Sequence, residues 1–396
     1  MLNNNQCLMC KGSRMLCGNK YCPLLAKIKS KTHLPKIKEN FSGPSSNIFV
    51  GKYGYPNVNI GPVASFDPSE IKSPAQLFGT DYNKVIDTLT KSVRGEVKQD
   101  VFSRSKFIQE NQLLALASKP AETEFIFKHA PKMDIKFSDI NQPSGPIGHL
   151  KKMKITENVK IAQKVDKIVS DEIKANESSF RLYKIGEDVY KITNILSSGV
   201  LGEEKNKKLV PTRWSITATD DLITKNLLTQ VRQNSQINNY FVFESTYIGN
   251  HFVILLEPGN WEFENFEAWA PGSNWAQGQS VSIIEEYEPF QGRKKYADKQ
   301  AGGYYAARLG IIEFLSKIKK QARVISFREI SEEYVLPLGV WVVRETVRNA
   351  FKSKASMFSS RDEAITYIKT KLKIPFQAYI NQSELLKQKK LDYFFN

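Results

Sequence analysis

No stretch of the 396-residue chain approaches the run of ~20 apolar residues that crosses a bilayer, so a membrane-spanning helix is not expected. The opening residues, MLNNNQCLMC, lack the charged-then-apolar layout of a secretion signal, and a soluble, cytoplasmic protein is expected. Cysteine is scarce: there are four, and none lies beyond position 22, so disulfides cannot staple the body of the chain. Neither a phosphate-loop motif nor a dinucleotide fingerprint is present, and no internal repeat is visible. Nor is the composition that of a disordered chain, with 41% hydrophobic and 25% charged residues.

What is present in excess is positive charge, and it is unevenly placed. The chain carries 57 Lys/Arg against 41 Asp/Glu, a net +16. Residues 1–40 hold eight basic residues and one Glu, residues 351–396 nine basic and four acidic, so most of the excess lies in the two ends. Basic extremities on a balanced body suit contact with a polyanion such as DNA; ordinary surface lysine is the alternative. No segment pairs a basic face with a strong apolar one, which argues against a membrane surface.

All four cysteines, Cys7, Cys10, Cys17 and Cys22, follow the spacing C-x2-C-x6-C-x4-C. Four thiolates on two short knuckles supply the tetrahedral soft-ligand set that structural zinc takes. Lys11, Arg14 and Lys20 alongside would lower the thiol pKa values and are candidates for touching DNA. Two disulfides would use the same residues but need an oxidising compartment. His33 is too far along to be needed as a ligand.

The chain closes on Gln388-Lys389-Lys390-Leu391-Asp392-Tyr393-Phe394-Phe395-Asn396, which satisfies Q-x-x-[ILM]-x-x-[FY]-[FY]. One helical turn would bring Leu391, Phe394 and Phe395 together as an apolar plug, with Gln388 hydrogen-bonding beside it. This tail resembles the box by which proteins bind the replication sliding clamp (PCNA). The alternative is a tail folded onto its own body, since exposed aromatics need a cover. Residues 379–390, rich in Lys and Gln, read as a flexible or helical tether.

Between the ends, irregularly mixed strand and helix patterns predict an α+β fold, a mixed sheet with packed helices. The divisions expected are 1–46 (zinc module and basic linker), 47–375 (core, with a subdomain break near 175–180) and 376–396 (tether and tail). Residues 48–62 read as strand, glycine-rich turn, strand, either a plain hairpin or a contact for nucleotide or DNA backbone. A helix is expected over 155–173, strands on either side of Gly186, and a hairpin over 240–256. A helix with core residues Tyr305, Leu309, Ile312 and Leu315 is expected over 304–320, followed by strands at 323–327 and 340–344.

Residues 257–288 stand apart, with seven glutamates, three tryptophans and no Lys or Arg. Such a stretch repels phosphate. It reads either as a solvated acidic loop anchored by its tryptophans, or as a site in which Glu262, Glu264 and Glu267 hold Mg²⁺ or act as acid and base. Upstream, Arg213 and Asp220 in TRWSITATDD would complete a phosphodiester or glycosidic site. Downstream, Arg293, Lys294 and Lys295 offer anion-binding ground before a helix. His149 reads as structural.

The cysteine knuckle, FVGKYGYPNVNIGP, TRWSITATDD, ENFEAWAPGS and the terminal box together resemble the archaeal Nre family of DNA repair proteins, over essentially the whole chain. The resemblance implies a zinc-bearing protein that acts with the sliding clamp in the response to DNA damage, and it points to the pathway more than to the chemistry. Two functions are therefore open: a DNA-binding repair factor recruited to the clamp, or a hydrolase acting on damaged or modified DNA, for instance removing an ADP-ribose-type adduct.

Overall fold

The computed structural model describes residues 37–131, 145–271, 280–334 and 337–388, and singly Cys10, Leu16, Gly18, Ile140, Asn141, Pro143, Ser273 and Ala276. Two units make up these residues, one within Leu25–Ile223 and one formed by the described residues of Met1–Leu24 and Thr224–Asn396. The expected α+β class is met, with eleven α-helices and two mixed sheets among the described residues.

In the first unit, β1 (Asn40–Val50), β2 (Asn57–Ser65), β3 (Ser92–Asp100), β4 (Ala121–Phe127) and β5 (Ile147–Ile155) close into a barrel of order β1-β2-β3-β5-β4. Period-2 burial fills it: in β4, Ala121, Thr123, Phe125 and Phe127 point inward and the residues between them outward. Strand β1 serves two neighbours, pairing with β4 over Asn40–Ser45 and with β2 over Ser45–Val50, with the register shift at Ser45/Asn47. Strands β3 and β5 run parallel. The strand–turn–strand expected at 48–62 is thus the β1–β2 hairpin.

Helices α1 (Pro74–Leu77) and α2 (Tyr82–Thr90) lie between β2 and β3, and α3 (Lys106–Leu116) between β3 and β4. Ser105 caps α3, whose Ile108, Leu114 and Ala115 join the barrel core. The helix expected over 155–173 is only α4 (Gln163–Ser170), because Ile155 is still paired with Thr123 in the barrel.

Around Gly186 the expected strands are helices, α5 (Ala175–Lys184) and α6 (Val189–Ser197). Gly186 takes φ 96°, and the amides of Gly186 and Glu187 donate to Tyr183 and Leu182 carbonyls at 3.1 Å, a Schellman ending. Asp188 then caps α6 by accepting from Lys191 N at 2.7 Å. The buried Val189, Ile192, Ile195 and Leu196 have helical spacing.

Helix α7 (Thr212–Val231) begins in this unit with the TRWSITATDD segment. Asn194 Oδ1 and Thr212 Oγ1 each accept from a β1 amide, Ile48 N and Val50 N, at 2.9 Å. Those two helices therefore satisfy amides of β1 that the barrel itself does not.

The second unit is built on a six-stranded sheet of β6 (Tyr240–Tyr247), β7 (Asn250–Glu257), β8 (Glu262–Trp269), β9 (Ser282–Glu288), β10 (Arg323–Ile330) and β11 (Ser356–Phe358), in the order β11-β6-β7-β10-β8-β9. The hairpin expected at 240–256 is β6–β7, with Ile248 and Gly249 both at positive φ in its turn. The acidic stretch is not a solvated loop, since all seven of its glutamates lie on strands β7, β8 and β9, and β8 lies between β9 and β10 inside the sheet.

One face is covered by α8 (Gly302–Ile318) and α9 (Trp341–Ala350). All four expected core residues of α8 are buried. Glycine lets the two helices meet closely: a Cβ at Gly310 would stand 2.9 Å from Val347 Cγ1 of α9. The strand expected at 340–344 is instead the start of α9. Its apolar Val342, Val343, Val347 and Ala350 recur at helical spacing, and Trp341 Nε1 donates to Leu338 O at 2.7 Å to fix the turn before it.

The other face carries α10 (Arg361–Lys371) and α11 (Phe376–Ile380), whose Ala364, Ile368, Phe376 and Tyr379 pack on Val253, Phe266 and Phe327. Burial continues through Ser383 and Leu385, so the stretch read as a tether belongs to the packed body that far. No helix among the described residues is long and apolar enough to cross a membrane.

Candidate functional site

Alternation along β8 divides the acidic stretch between the two faces of the sheet. Phe263, Asn265 and Glu267 face α8, joined from β9 by Glu286 and Glu288; Glu262 and Glu264 face the C-terminal helices, joined by Glu285 and Tyr287.

On the α8 face, Glu288 is fully buried and accepts from Trp261 Nε1 at 3.2 Å, Tyr304 OH at 2.6 Å and Arg308 Nη1 at 2.5 Å. Burial and the adjacent Glu288 carboxylate push the Tyr304 hydroxyl well above its ordinary pKa, so it stays a donor. Glu286 accepts from Lys299 N at 2.8 Å and pairs with Arg293 Nη2 at 2.6 Å. Gln300 and Asn265 exchange hydrogen bonds at 2.6 Å. Glu267 pairs with Arg328 at 2.6 Å, and the same guanidinium donates to Asn250 Oδ1 at 2.5 and 3.0 Å.

On the opposite face, Glu262 accepts from Tyr287 OH at 2.5 Å and from Arg323 at 2.7 and 2.9 Å. Glu264 accepts from the Ser383 hydroxyl, from Glu384 N at 2.5 Å and from Leu385 N at 3.3 Å. It thereby holds residues 383–385 against the sheet. Burial raises its pKa despite these donors.

Glu285 differs from the rest. Burial, with the Glu264 charge beside it, raises its pKa to about 7. One of its oxygens is buried without a hydrogen-bond donor, and the other lies 3.6 Å from Lys299 Nζ.

The three expected acidic residues thus do not converge. Glu262 and Glu264 share one face with their donors in place, and Glu267 sits on the other face bound to Arg328. Among the described residues no group of three His, Cys, Asp or Glu side chains is arranged to hold a metal ion. Arg213 and Asp220 lie on α7 seven residues apart, Asp220 fully buried and Arg213 half-buried. Arg293 is turned inward onto Glu286, while Lys294 and Lys295 are exposed, and His149 is exposed on β5.

Cys10 is buried. Cys7, Cys17, Cys22, Lys11, Arg14, Lys20 and His33 lie outside the described residues, as do Leu391, Phe394 and Phe395. Gln388 is described and exposed. Sequence reasoning missed that arginines pair with these glutamates on both faces of the sheet. The available signal was that a stretch of seven glutamates with no Lys or Arg is followed by Arg293, Arg308, Arg323, Arg328 and Arg361, each of which pairs with one of them.

Two family models match the chain: "Archaeal Nre, N-terminal" over residues 16–276 and "Archaeal Nre, C-terminal" over residues 288–394. The chain is 36% identical over 365 residues to the DNA repair protein NreA of Archaeoglobus fulgidus, covering 91% of this chain and 92% of the relative. It is 33% identical over 386 residues to the DNA repair protein NreB of the same organism, covering 96% and 97%. To the DNA repair protein NreA of Haloferax volcanii it is 34% identical over 340 residues, covering 82% and 81%. No solved structure matches.

Proposed function

Because this chain belongs to the archaeal Nre family and is a DNA repair protein of that family, we propose that it binds DNA and is recruited to the sliding clamp (PCNA) through residues 388–395. The observation that carries the clamp reading is the complete box at those positions, whose first member, Gln388, is exposed three residues after Leu385, the last fully buried side chain among the described residues. Leu391, Phe394 and Phe395 are the apolar plug and Gln388 the hydrogen-bonding residue.

Cys7, Cys10, Cys17 and Cys22 are the ligands of one structural zinc, a reading supported by their number, spacing and thiolate chemistry. The basic ends, with Lys11, Arg14 and Lys20 beside the cysteines, and the exposed Lys294 and Lys295 are the electrostatic contacts to DNA phosphate. The protein then works on chromosomal DNA in the cytoplasm. The carboxylates of 257–288 weigh against a hydrolytic reading, because Glu262, Glu264 and Glu267 are each held by protein donors.

Titrating the full chain into purified archaeal sliding clamp by calorimetry tests the reading. Saturable binding is expected for the natural chain and its loss for Phe394→Ala/Phe395→Ala, with the melting temperature unchanged. Equal binding by both would remove the tail from the account.

A further inference from the structure

We infer that the β1–β2 turn and the start of α7 form a stacking platform for single-stranded DNA, a proposal that rests on the reading that this protein binds DNA and assigns the contact to one end of the barrel. The barrel's order β1-β2-β3-β5-β4, closed between β1 and β4, with β3 parallel to β5 and a helix between β3 and β4, is the connectivity of an OB-type barrel. Barrels of that type bind oligonucleotides across β2 and β3, beside the loop that joins β1 to β2. Connectivity alone shows fold and not function, so the proposal stands on the side chains at that loop.

In the unit within Leu25–Ile223 four aromatic rings are exposed among the described residues: Tyr53 (70%), Phe102 (56%), Trp214 (45%) and Tyr55 (40%). All four lie at one end of the barrel. Tyr53 and Tyr55 flank Gly54, whose φ of 80° turns the chain between β1 and β2. Trp214 lies with its ring centroid 5.3 Å from that of Tyr55. Phe102 follows β3, where Val101 N donates to Pro56 O at 3.0 Å. The start of α7 is tied to the same end, through Thr212 to Val50 N at 2.9 Å and Leu209 N to Val101 O at 2.8 Å.

The charge around these rings is mainly positive; the acidic groups beside them are Asp100, which accepts from Phe102 N at 2.8 Å, and Glu203 and Glu204, which pair with Lys205 and Lys207. Residues 51–66 carry Lys52 and no Asp or Glu; residues 205–219 carry Lys205, Lys207, Lys208 and Arg213 and no Asp or Glu. Lys52 Nζ stands 5.0 Å from the Tyr53 ring centroid and Lys208 Nζ 5.6 Å from that of Phe102. Rings that offer their faces to bases, interleaved with cations that meet phosphate, are the two components of sequence-tolerant single-strand binding. A duplex hides its base faces in the stack, so it cannot use the rings.

The test is fluorescence anisotropy with the full chain, using labelled 20-nucleotide oligo-dT, a duplex of the same length and 20-nucleotide oligo-rU. The proposal expects oligo-dT to bind more tightly than duplex and at least as tightly as oligo-rU, and to quench tryptophan fluorescence. Tyr53→Ala/Trp214→Ala should weaken oligo-dT by roughly ten- to a hundredfold while lowering duplex affinity far less, and Trp214→Phe should keep most of the binding. Because Trp214 also touches Tyr55, Tyr53→Ala alone, at the most exposed ring, is the second variant and should weaken oligo-dT at an unchanged melting temperature. Natural affinity for oligo-dT in both variants would overturn the platform while leaving DNA binding by the ends intact. Tighter binding of oligo-rU would overturn the assignment to DNA. Failure of the natural chain to bind any DNA would overturn the underlying DNA-binding reading itself.

Discussion

Arg308 of α8 and Glu288 of β9 meet at 2.5 Å with only 3% and 1% of their side chains exposed, and Tyr304 and Trp261 complete the carboxylate's shell. A pair this deep gives up hydration that its attraction only partly returns. Its removal as a pair is therefore tolerated far better than the loss of one partner. Arg308→Met should cost about 3–5 kcal/mol, read as a lower urea midpoint, because Glu288 is left as a buried charge. Glu288→Gln/Arg308→Met should recover more than half of that loss. Additive effects of the two changes would show that the pair is not coupled.

Glu285 gives stability a pH dependence opposite to that of an ordinary carboxylate. Its folded pKa, about 7, exceeds the 4.5 of an unhindered Glu. Between these values the folded chain holds a proton that the unfolded chain has lost. The stabilisation is complete below about 4.5 and is lost as pH rises through about 7. Glu285→Gln should accordingly raise unfolding free energy at pH 8 by up to about 3 kcal/mol and change it little at pH 4. A gain that is the same at both pH values would contradict this.

At Gly310 the backbone of α8 lies close against Val347 of α9. Gly310→Val would place a branched side chain against Val347 and Arg348 N, overpacking the crossing at a cost of about 1–3 kcal/mol. The paired change Gly310→Ala/Val347→Ala should be milder than Gly310→Val, as read from denaturation midpoints. Natural stability in Gly310→Val would mean that the helices separate at no cost.

The zinc reading predicts one zinc per chain by metal analysis of protein purified without added metal. Cys7→Ser should lower the content below half, and a chelator should remove the rest. A stable natural chain without zinc would refute the four-thiolate site.

How much of this was legible beforehand depended on whether local pattern or distant partners decided the outcome. The β1–β2 and β6–β7 hairpins and α8 follow from periodicity and turn residues close in sequence, and they were read correctly. The segments on either side of Gly186 and residues 340–344 read as strands because short apolar runs suit either state. What settled them was the Schellman turn at Gly186, the Asp188 cap and the spacing of Val342, Val343, Val347 and Ala350. The acidic stretch was misread for another reason. Its charges are neutralised by arginines as far away as Arg361, which donates to Glu257 at 2.6 Å, and no local window contains that pairing. The closed barrel was not foreseen either, since the parallel pairing of β3 with β5 joins residues about fifty positions apart.

The most direct test of the account is whether the clamp and the DNA reinforce each other's hold on this chain. Affinity for DNA should be measured with and without a loaded sliding clamp, for the natural chain and for Phe394→Ala/Phe395→Ala. If the tail tethers the chain to the ring, DNA with a loaded clamp should bind the natural chain roughly a hundredfold more tightly than bare DNA, because the second contact becomes intramolecular. The variant should show no difference between the two. Equal affinity of the natural chain for bare and clamp-loaded DNA would contradict the account.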